Sequence, residues 1–219
     1  MDRAALLERI AERIASRRLG HPLRVGIDGV CGAGKTTFAR ELAATLEASG
    51  RTAIDVDSDG FHHVRAVRYR QGPESARGYY DNAYDLKSVR DLVLRPLGPA
   101  GSLRFASHVH DLASDEVVPR FAVAPADAVV LFAATFIQRR DLRGDWDEVI
   151  WLDVPERVAT ARGVARDAAA LGGTAAAESA YASRYMAACR IYLEEETPRD
   201  RASIVIDHTD PAAPAISRW

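Results

Sequence analysis

Apolar side chains recur along this chain with two different periods, and the alternation between them predicts its elements. Leu6, Leu7, Ile10, Ala11 and Ile14 fall on one helical face, which predicts a helix over residues 4–18. Gly20, His21 and Pro22 close it. Residues 25–27 form a short, partly β-branched apolar run of the kind found in buried strands. Phe38, Leu42 and Leu46 mark the inward face of a second helix, which Gly50 terminates. Residues 52–56 read as a second strand that runs into the acidic turn Asp57-Ser58-Asp59-Gly60. Strand, helix, strand predicts a βαβ unit in a parallel sheet, with the second strand beside the first.

Residues 61–84 are polar, aromatic and rich in arginine, with no clean period. They predict a long irregular segment, and the tyrosines argue against disorder. Residues 86–94 read as helical, and Pro96, Gly98, Pro99 and Gly101 break the chain after them. Residues 103–112 and 117–123 alternate as a β-hairpin should, with Ser114, Asp115 and Glu116 as its turn. Residues 129–132 and 149–154 predict further core strands, 157–171 a helix stopped by Gly172 and Gly173, and 203–206 a last strand. Tyr181, Tyr185, Ala188 and Tyr192 share one face of a long helix and read as packing. The elements interleave without repeats or linkers, so one α/β domain is expected over residues 1–219.

Composition narrows the function classes. At 47% hydrophobic residues, the 219-residue chain can bury a substantial core. A net charge of -2 offers no bulk electrostatic attraction to nucleic acid or to a membrane surface. No apolar run is long enough to span a bilayer, and the first eighteen residues are amphipathic rather than signal-like. Cys31 and Cys189 lie far apart in sequence, and Cys31 falls in a glycine loop. A structural disulfide is therefore not expected, and the reducing cytoplasm is the expected location. A small-molecule partner fits this composition, and a homo-oligomer is compatible with it.

The chemistry concentrates in residues 24–38, RVGIDGVCGAGKTTF. Gly29, Gly32, Ala33, Gly34, Lys35, Thr36 and Thr37 supply the phosphate-binding P-loop pattern, with a strand before and a helix after. Glycines let backbone N–H groups close on phosphate oxygens, Lys35 adds a point charge, and the Thr36 hydroxyl can ligate Mg²⁺. The start of the next helix turns its dipole toward the same anion. Lysine is scarce here, since only Lys35 and Lys87 occur, so a lysine at this position implies that arginine would not serve.

Asp59 follows a strand end, where ligands of parallel sheets collect. A carboxylate there can take the proton of an attacking hydroxyl and hold a metal ion or its water. From this point the chain resembles the uridine kinase and phosphoribulokinase group of P-loop kinases. The resemblance covers most of the chain after Leu23; it is carried by Asp59-Gly60-Phe61-His62 and continues through Arg68-Tyr69-Arg70, Tyr79-Tyr80-Asp81, Tyr84-Asp85 and Pro96-Leu97. It then runs through His110-Asp111, Trp146-Asp147, Leu152-Asp153-Val154-Pro155 and Arg166-Asp167. It implies a P-loop NTPase fold, with about five parallel strands flanked by helices. A substrate-side hairpin at about 102–123 and a helical lid at about 162–175 come with it. It also implies ATP as donor, Mg²⁺ at Thr36 and Asp59, and Asp59 as base. Acceptor contacts would fall at His62, Tyr80, Asp81 and His110, and lid arginines at Arg162 and Arg166. A nucleoside such as uridine is the implied acceptor.

Two departures keep alternatives open. The strand over 129–132 should end in an acid followed by glycine, but the chain has Ala133-Ala134. The lid after Arg166 is poor in arginine, reading AAALGGT over 168–174. A nucleotide-binding protein with lost or weakened transfer therefore stands beside the kinase. A third reading has a sugar phosphate or vitamin precursor as acceptor, held by Arg65, Arg68, Arg70 and Arg77.

Overall fold

β1 (Leu23–Asp28) is buried along its whole length, because helices cover both faces of the sheet it centres. The computed structural model describes residues 2–219. Its main sheet has the order β2-β5-β1-β6-β7-β8. β2 (Ala53–Val56), β5 (Val129–Ala133), β1, β6 (Glu148–Asp153) and β7 (Ile204–Asp207) run parallel. β8 (Ala215–Arg218) adds an antiparallel edge that the apolar pattern does not announce.

The expected adjacency of β1 and β2 is corrected: β5 lies between them, pairing Ile27 with Ala133 and Phe132 with Val56. Burial explains the order. β5 reads VVLFA and is buried at every position, whereas β2 carries the exposed Asp55 and suits the edge.

α1 (Arg3–Ser16) starts at an Asp2 cap, whose carboxylate accepts from the Ala5 N–H at 2.8 Å. It buries Leu6, Leu7, Ile10, Ala11 and Ile14 on the sheet side shared with α2 (Lys35–Ala48). Behind the other face, Val56, Phe61, Val89, Phe105, Val130 and Phe132 form a second cluster. The segment expected to be irregular contains two short helices, α3 (Arg65–Arg68) and α4 (Ala76–Asn82). α5 (Leu86–Ser88) passes directly into a π-helical turn at Val89–Leu94.

The hairpin is present as β3 (Arg104–Asp111) and β4 (Glu116–Val123). Glu116 pairs with Asp111, so the turn lies one residue earlier than expected, and Asp115 within it takes a φ of 62°. α6 (Glu156–Leu171) ends at Gly172. α7 (Thr174–Ala180), a π-helical turn at Tyr181–Tyr185 and α8 (Met186–Glu196) follow as one long rod. α9 (Pro198–Arg201) leads into β7. No helix among the described residues is long and apolar enough to cross a membrane.

Candidate active site

The site grows from the carboxyl end of β1. Gly32 and Gly34 adopt φ of 79° and 93°, turning the chain sharply into α2. A Cβ at Gly32 would lie 2.1 Å from the Ala159 carbonyl oxygen, so the loop also packs where no side chain fits. Lys35 Nζ donates to the carbonyls of Gly29 and Val30, each at 2.9 Å. Burial lowers the Lys35 ammonium from its usual range, while nearby thiols and Asp28 oppose that shift. From behind, His208 Nδ1 contacts the Ala33 carbonyl at 2.9 Å. Asp28 accepts from the Gly29 N–H at 2.8 Å.

The loop opens on a cavity of about 640 Å³ that Gly32, Gly34, Lys35, Thr36 and Thr37 share with Asp59. Asp59 lies in a 3₁₀ turn at Ser58–Phe61, whose start is held by Asp57 accepting from the Asp59 N–H at 3.0 Å. Ser58 ties this turn to β5 by donating to the Ala133 carbonyl at 2.8 Å. His62 Nε2 stands 3.6 Å from Asp59 Oδ1. Contact with His62 holds the Asp59 carboxyl below its usual range, against the opposing effect of burial. The opposite ring nitrogen, Nδ1, lies 2.8 Å from the Ala83 carbonyl, which can only accept, so Nδ1 is a donor there. The ring stacks on Tyr84 at 4.3 Å.

Arg166 also faces the cavity, and forms a two-pronged pair with Asp167 at 2.7 and 2.8 Å. Asp167 accepts in addition from Tyr181 at 2.7 Å.

Of the residues expected at the site, Gly29 and Ala33 belong to the loop but do not line the cavity, and four others are placed elsewhere. Arg162 donates to the carbonyls of His208 at 3.1 Å and Thr209 at 2.6 Å, bracing the loop after β7. Tyr80 is only 2% exposed and packs on Phe136 and Tyr192; its neighbour Tyr79 takes the cavity position. On a helix, consecutive residues point about 100° apart, so α4 can present only one of the two. Asp81 is engaged by Gln71 at 3.1 Å and Arg77 at 3.0 Å, outside the cavity. His110 is 2% exposed and contacts Asp115 at 3.1 Å, which ties the hairpin turn down instead of lining the site.

Other cavity residues were not singled out as site residues. Tyr69, Tyr79, Tyr84, Tyr181 and Tyr185 supply aromatic wall, and Arg184 adds a cation. Tyr69, Tyr79 and Tyr84 fall in the segments that carry the family resemblance, and the tyrosine stripe serves both purposes: Tyr192 is core, while Tyr181 and Tyr185 also reach the cavity. The cysteines are spatial neighbours, with the Cys31 N–H 3.4 Å from Cys189 Sγ, and both are free thiols. Their mutual hydrogen bond lowers the Cys31 thiol.

A magnesium ion needs few protein oxygens and keeps several waters. The Thr36 hydroxyl and Asp59 carboxylate face the main cavity. Thr36 also faces a side hollow of about 210 Å³ beside Asp55, Asp57 and Ala133. Hard oxygen donors are therefore present. However, Ala133 contributes none, and the described residues contain no cluster of three metal-ligating side chains.

Comparison with known proteins agrees with this geometry. A uridine kinase of Brevibacillus brevis is 25% identical over 151 residues, covering 68% of each chain. A uridine kinase of Leuconostoc citreum is 27% identical over 149 residues, covering 67% of this chain and 69% of its own. The fold matches a structure described as a possible uridine kinase from Bacillus stearothermophilus. That match has a TM-score of 0.71 and 24% identity, over 91% of this chain and 96% of that one. Residues 24–210 match the model of the phosphoribulokinase / uridine kinase family, and the chain belongs to that family of P-loop kinases.

Proposed function

We propose that this protein transfers the γ-phosphoryl group of ATP to a hydroxyl of a small polar acceptor. The observation that carries the reading is that Lys35 and Asp59, from different strand ends, open on one cavity. Lys35 and the loop amides hold the β- and γ-phosphates, and the ammonium exchanges its two carbonyl partners for phosphate oxygens. Mg²⁺, held by Thr36 with Asp59 or its water, would offset charge on the phosphates. The acceptor oxygen bonds to the γ-phosphorus as the bond to the β–γ bridging oxygen breaks. Asp59 takes the acceptor proton, and ADP leaves. Arg166, paired with Asp167 at the cavity, trades that partner for the transferring group in this reading.

Alignment contributes more than proton removal in such a reaction: about 7–11 kcal/mol against a factor of about 10²–10⁴. The aromatic wall and His62 supply that alignment, and closure of the cavity excludes water as a competing acceptor. Uridine is the first acceptor to test, because the relatives are uridine kinases. A second reading, nucleotide binding with weak transfer, is favoured by one observation: Ala133 puts no carboxylate in the metal-side hollow.

The test is incubation with Mg-ATP and a panel of nucleosides, pentose phosphates and vitamin precursors. ADP release above the ATP-only control, with a phosphorylated product identified by mass, is the expected result. ATP binding with no acceptor-dependent ADP release would leave the second reading in its place.

A further inference from the structure

The chain that follows β7 passes beneath the phosphate loop and places one imidazole there. His208 is 2% exposed and lies outside the cavity. Its Nδ1 stands 2.9 Å from the Ala33 carbonyl, and its Nε2 stands 2.8 Å from Arg3 Nη1. A carbonyl can only accept and a guanidinium can only donate. Nδ1 therefore carries the proton of this ring and Nε2 accepts, which fixes a neutral imidazole in one tautomer. Burial holds the ring below its usual range; Arg3 and Arg162 add to that, while the Ala33 contact and Glu41 oppose it.

Both ends of this residue are pinned as well. The His208 N–H donates to the Asp153 carbonyl at 2.9 Å, and its carbonyl accepts from Arg162 at 3.1 Å. Arg3 is fixed in turn by Glu41 at 2.5 Å and by the Pro211 carbonyl at 2.8 Å. Side chains from α1, α2 and α6 thus converge on one ring. A Cβ at Gly34 would lie 3.1 Å from His208 Cε1, so the ring fits directly under the peptide that joins Ala33 to Gly34.

That peptide is trans and planar, so its carbonyl and its N–H point in opposite directions. Ala33 is fully buried and turns its carbonyl to His208, whereas Gly34 lines the cavity. Holding the carbonyl inward aims the Gly34 N–H outward. Gly34, at a φ of 93°, has no Cβ to resist rotation of this peptide, so its sense must be set from outside the loop. An apolar ring would fill the same space without setting it.

We propose that His208, oriented by Arg3, is a positioning residue that holds the Ala33–Gly34 peptide with its N–H turned to the phosphates of the nucleotide. This rests on the phosphate-binding part of the reading above and adds no step to the transfer. It also gives Arg162 a task, since Arg162 fixes the main chain on which the imidazole stands.

The experiment measures binding without turnover. Calorimetry gives the dissociation constants of Mg-ATP and of inorganic tripolyphosphate for wild type, His208→Leu, His208→Asn and Arg3→Met. His208→Leu should raise both constants about tenfold, the scale of a buried carbonyl left without its donor. Asparagine carries an amide nitrogen where Nδ1 stands, so His208→Asn should recover most of that loss. Arg3→Met, at a more exposed position, should raise both about three- to tenfold. Nitrogen NMR of histidine-labelled wild type at pH 7 should show His208 neutral with its proton on Nδ1, and Arg3→Met should lose that single tautomer. Unchanged affinities in the leucine and methionine variants, with cooperative melting retained, would reduce the ring to packing and overturn the inference while the kinase reading stands. So would an equal loss in His208→Asn and His208→Leu, or an Nε2-protonated ring in wild type. A loss for ATP with none for tripolyphosphate would move the effect to the base and overturn it too. Wild type that binds neither probe removes the phosphate-loop reading and this inference together.

Discussion

The Tyr192 hydroxyl donates a 2.5 Å hydrogen bond to the Asp28 carboxylate, joining residues 164 positions apart behind the phosphate loop. Gln138 Nε2 donates to the same oxygen at 2.9 Å, and the Gly29 N–H to the other at 2.8 Å. Asp28 therefore fixes the first turn of the loop from inside the core. Its own charge is costly there: burial outweighs the three hydrogen bonds and raises the carboxyl to about 6.

This proton makes stability depend on pH with a definite sign. The folded chain holds a proton that the unfolded chain releases at about pH 4, so the stabilisation is full below that value. It is lost as pH rises through about 6. Relative to Asp28→Asn, wild type should lose roughly 3 kcal/mol between about pH 4 and pH 7, since a tenfold change in proton affinity is worth about 1.4 kcal/mol. Urea unfolding of both proteins across that range measures it. A constant difference would show that burial does not hold the proton.

Asp59→Asn keeps the shape of the 3₁₀ turn and removes the proton acceptor. Transfer should slow by about 10²–10⁴-fold, with ATP affinity unchanged. Equal loss of ATP binding, read by calorimetry, would place Asp59 in nucleotide binding instead.

Gly32 and Gly50 share a φ of 79°, but a Cβ meets Ala159 at Gly32 and nothing within 4 Å at Gly50. Gly50→Ala should cost about 1–2 kcal/mol, from backbone conformation alone. Gly32→Ala should also abolish ATP binding, because the loop must move away from α6. Calorimetry on the two variants separates these effects.

Ala133→Asp would place a carboxylate in the hollow beside Thr36 and Asp57. The Mg²⁺ concentration for half-maximal activity should fall about tenfold, equivalent to about 1.4 kcal/mol. An unchanged value would mean that the ion is organised away from β5.

The phosphate loop was legible because its chemistry is local: glycines, lysine and threonine act through backbone they themselves shape. The position of Asp59 on the cavity was legible from its place after a strand. Strand order was partly legible, since the uninterrupted VVLFA of β5 and the charged residue in β2 already distinguish centre from edge. Side-chain direction was not. Tyr79 and Tyr80 are chemically alike, and only the packing of α4 on α8 selects which one faces the cavity. His110 and Arg162 are the right types for a site, but the hairpin turn and the β7 loop use them. Arg184 gave no signal, because only the folded chain brings it to the rings of Tyr69, Tyr79 and Tyr185.

The π-helical turn at Tyr181–Tyr185 spends one more residue than an α-helical turn would. Deleting a single residue there would regularise the rod and swing one end past the other by about 100°. Either Cys189 and Tyr192 would leave the interior, or Tyr181 and Arg184 would leave the cavity. The extra residue works as a swivel between two jobs done by one helix. Lineages could re-aim the recognition end by gaining or losing a residue there, while the interior end stays in place.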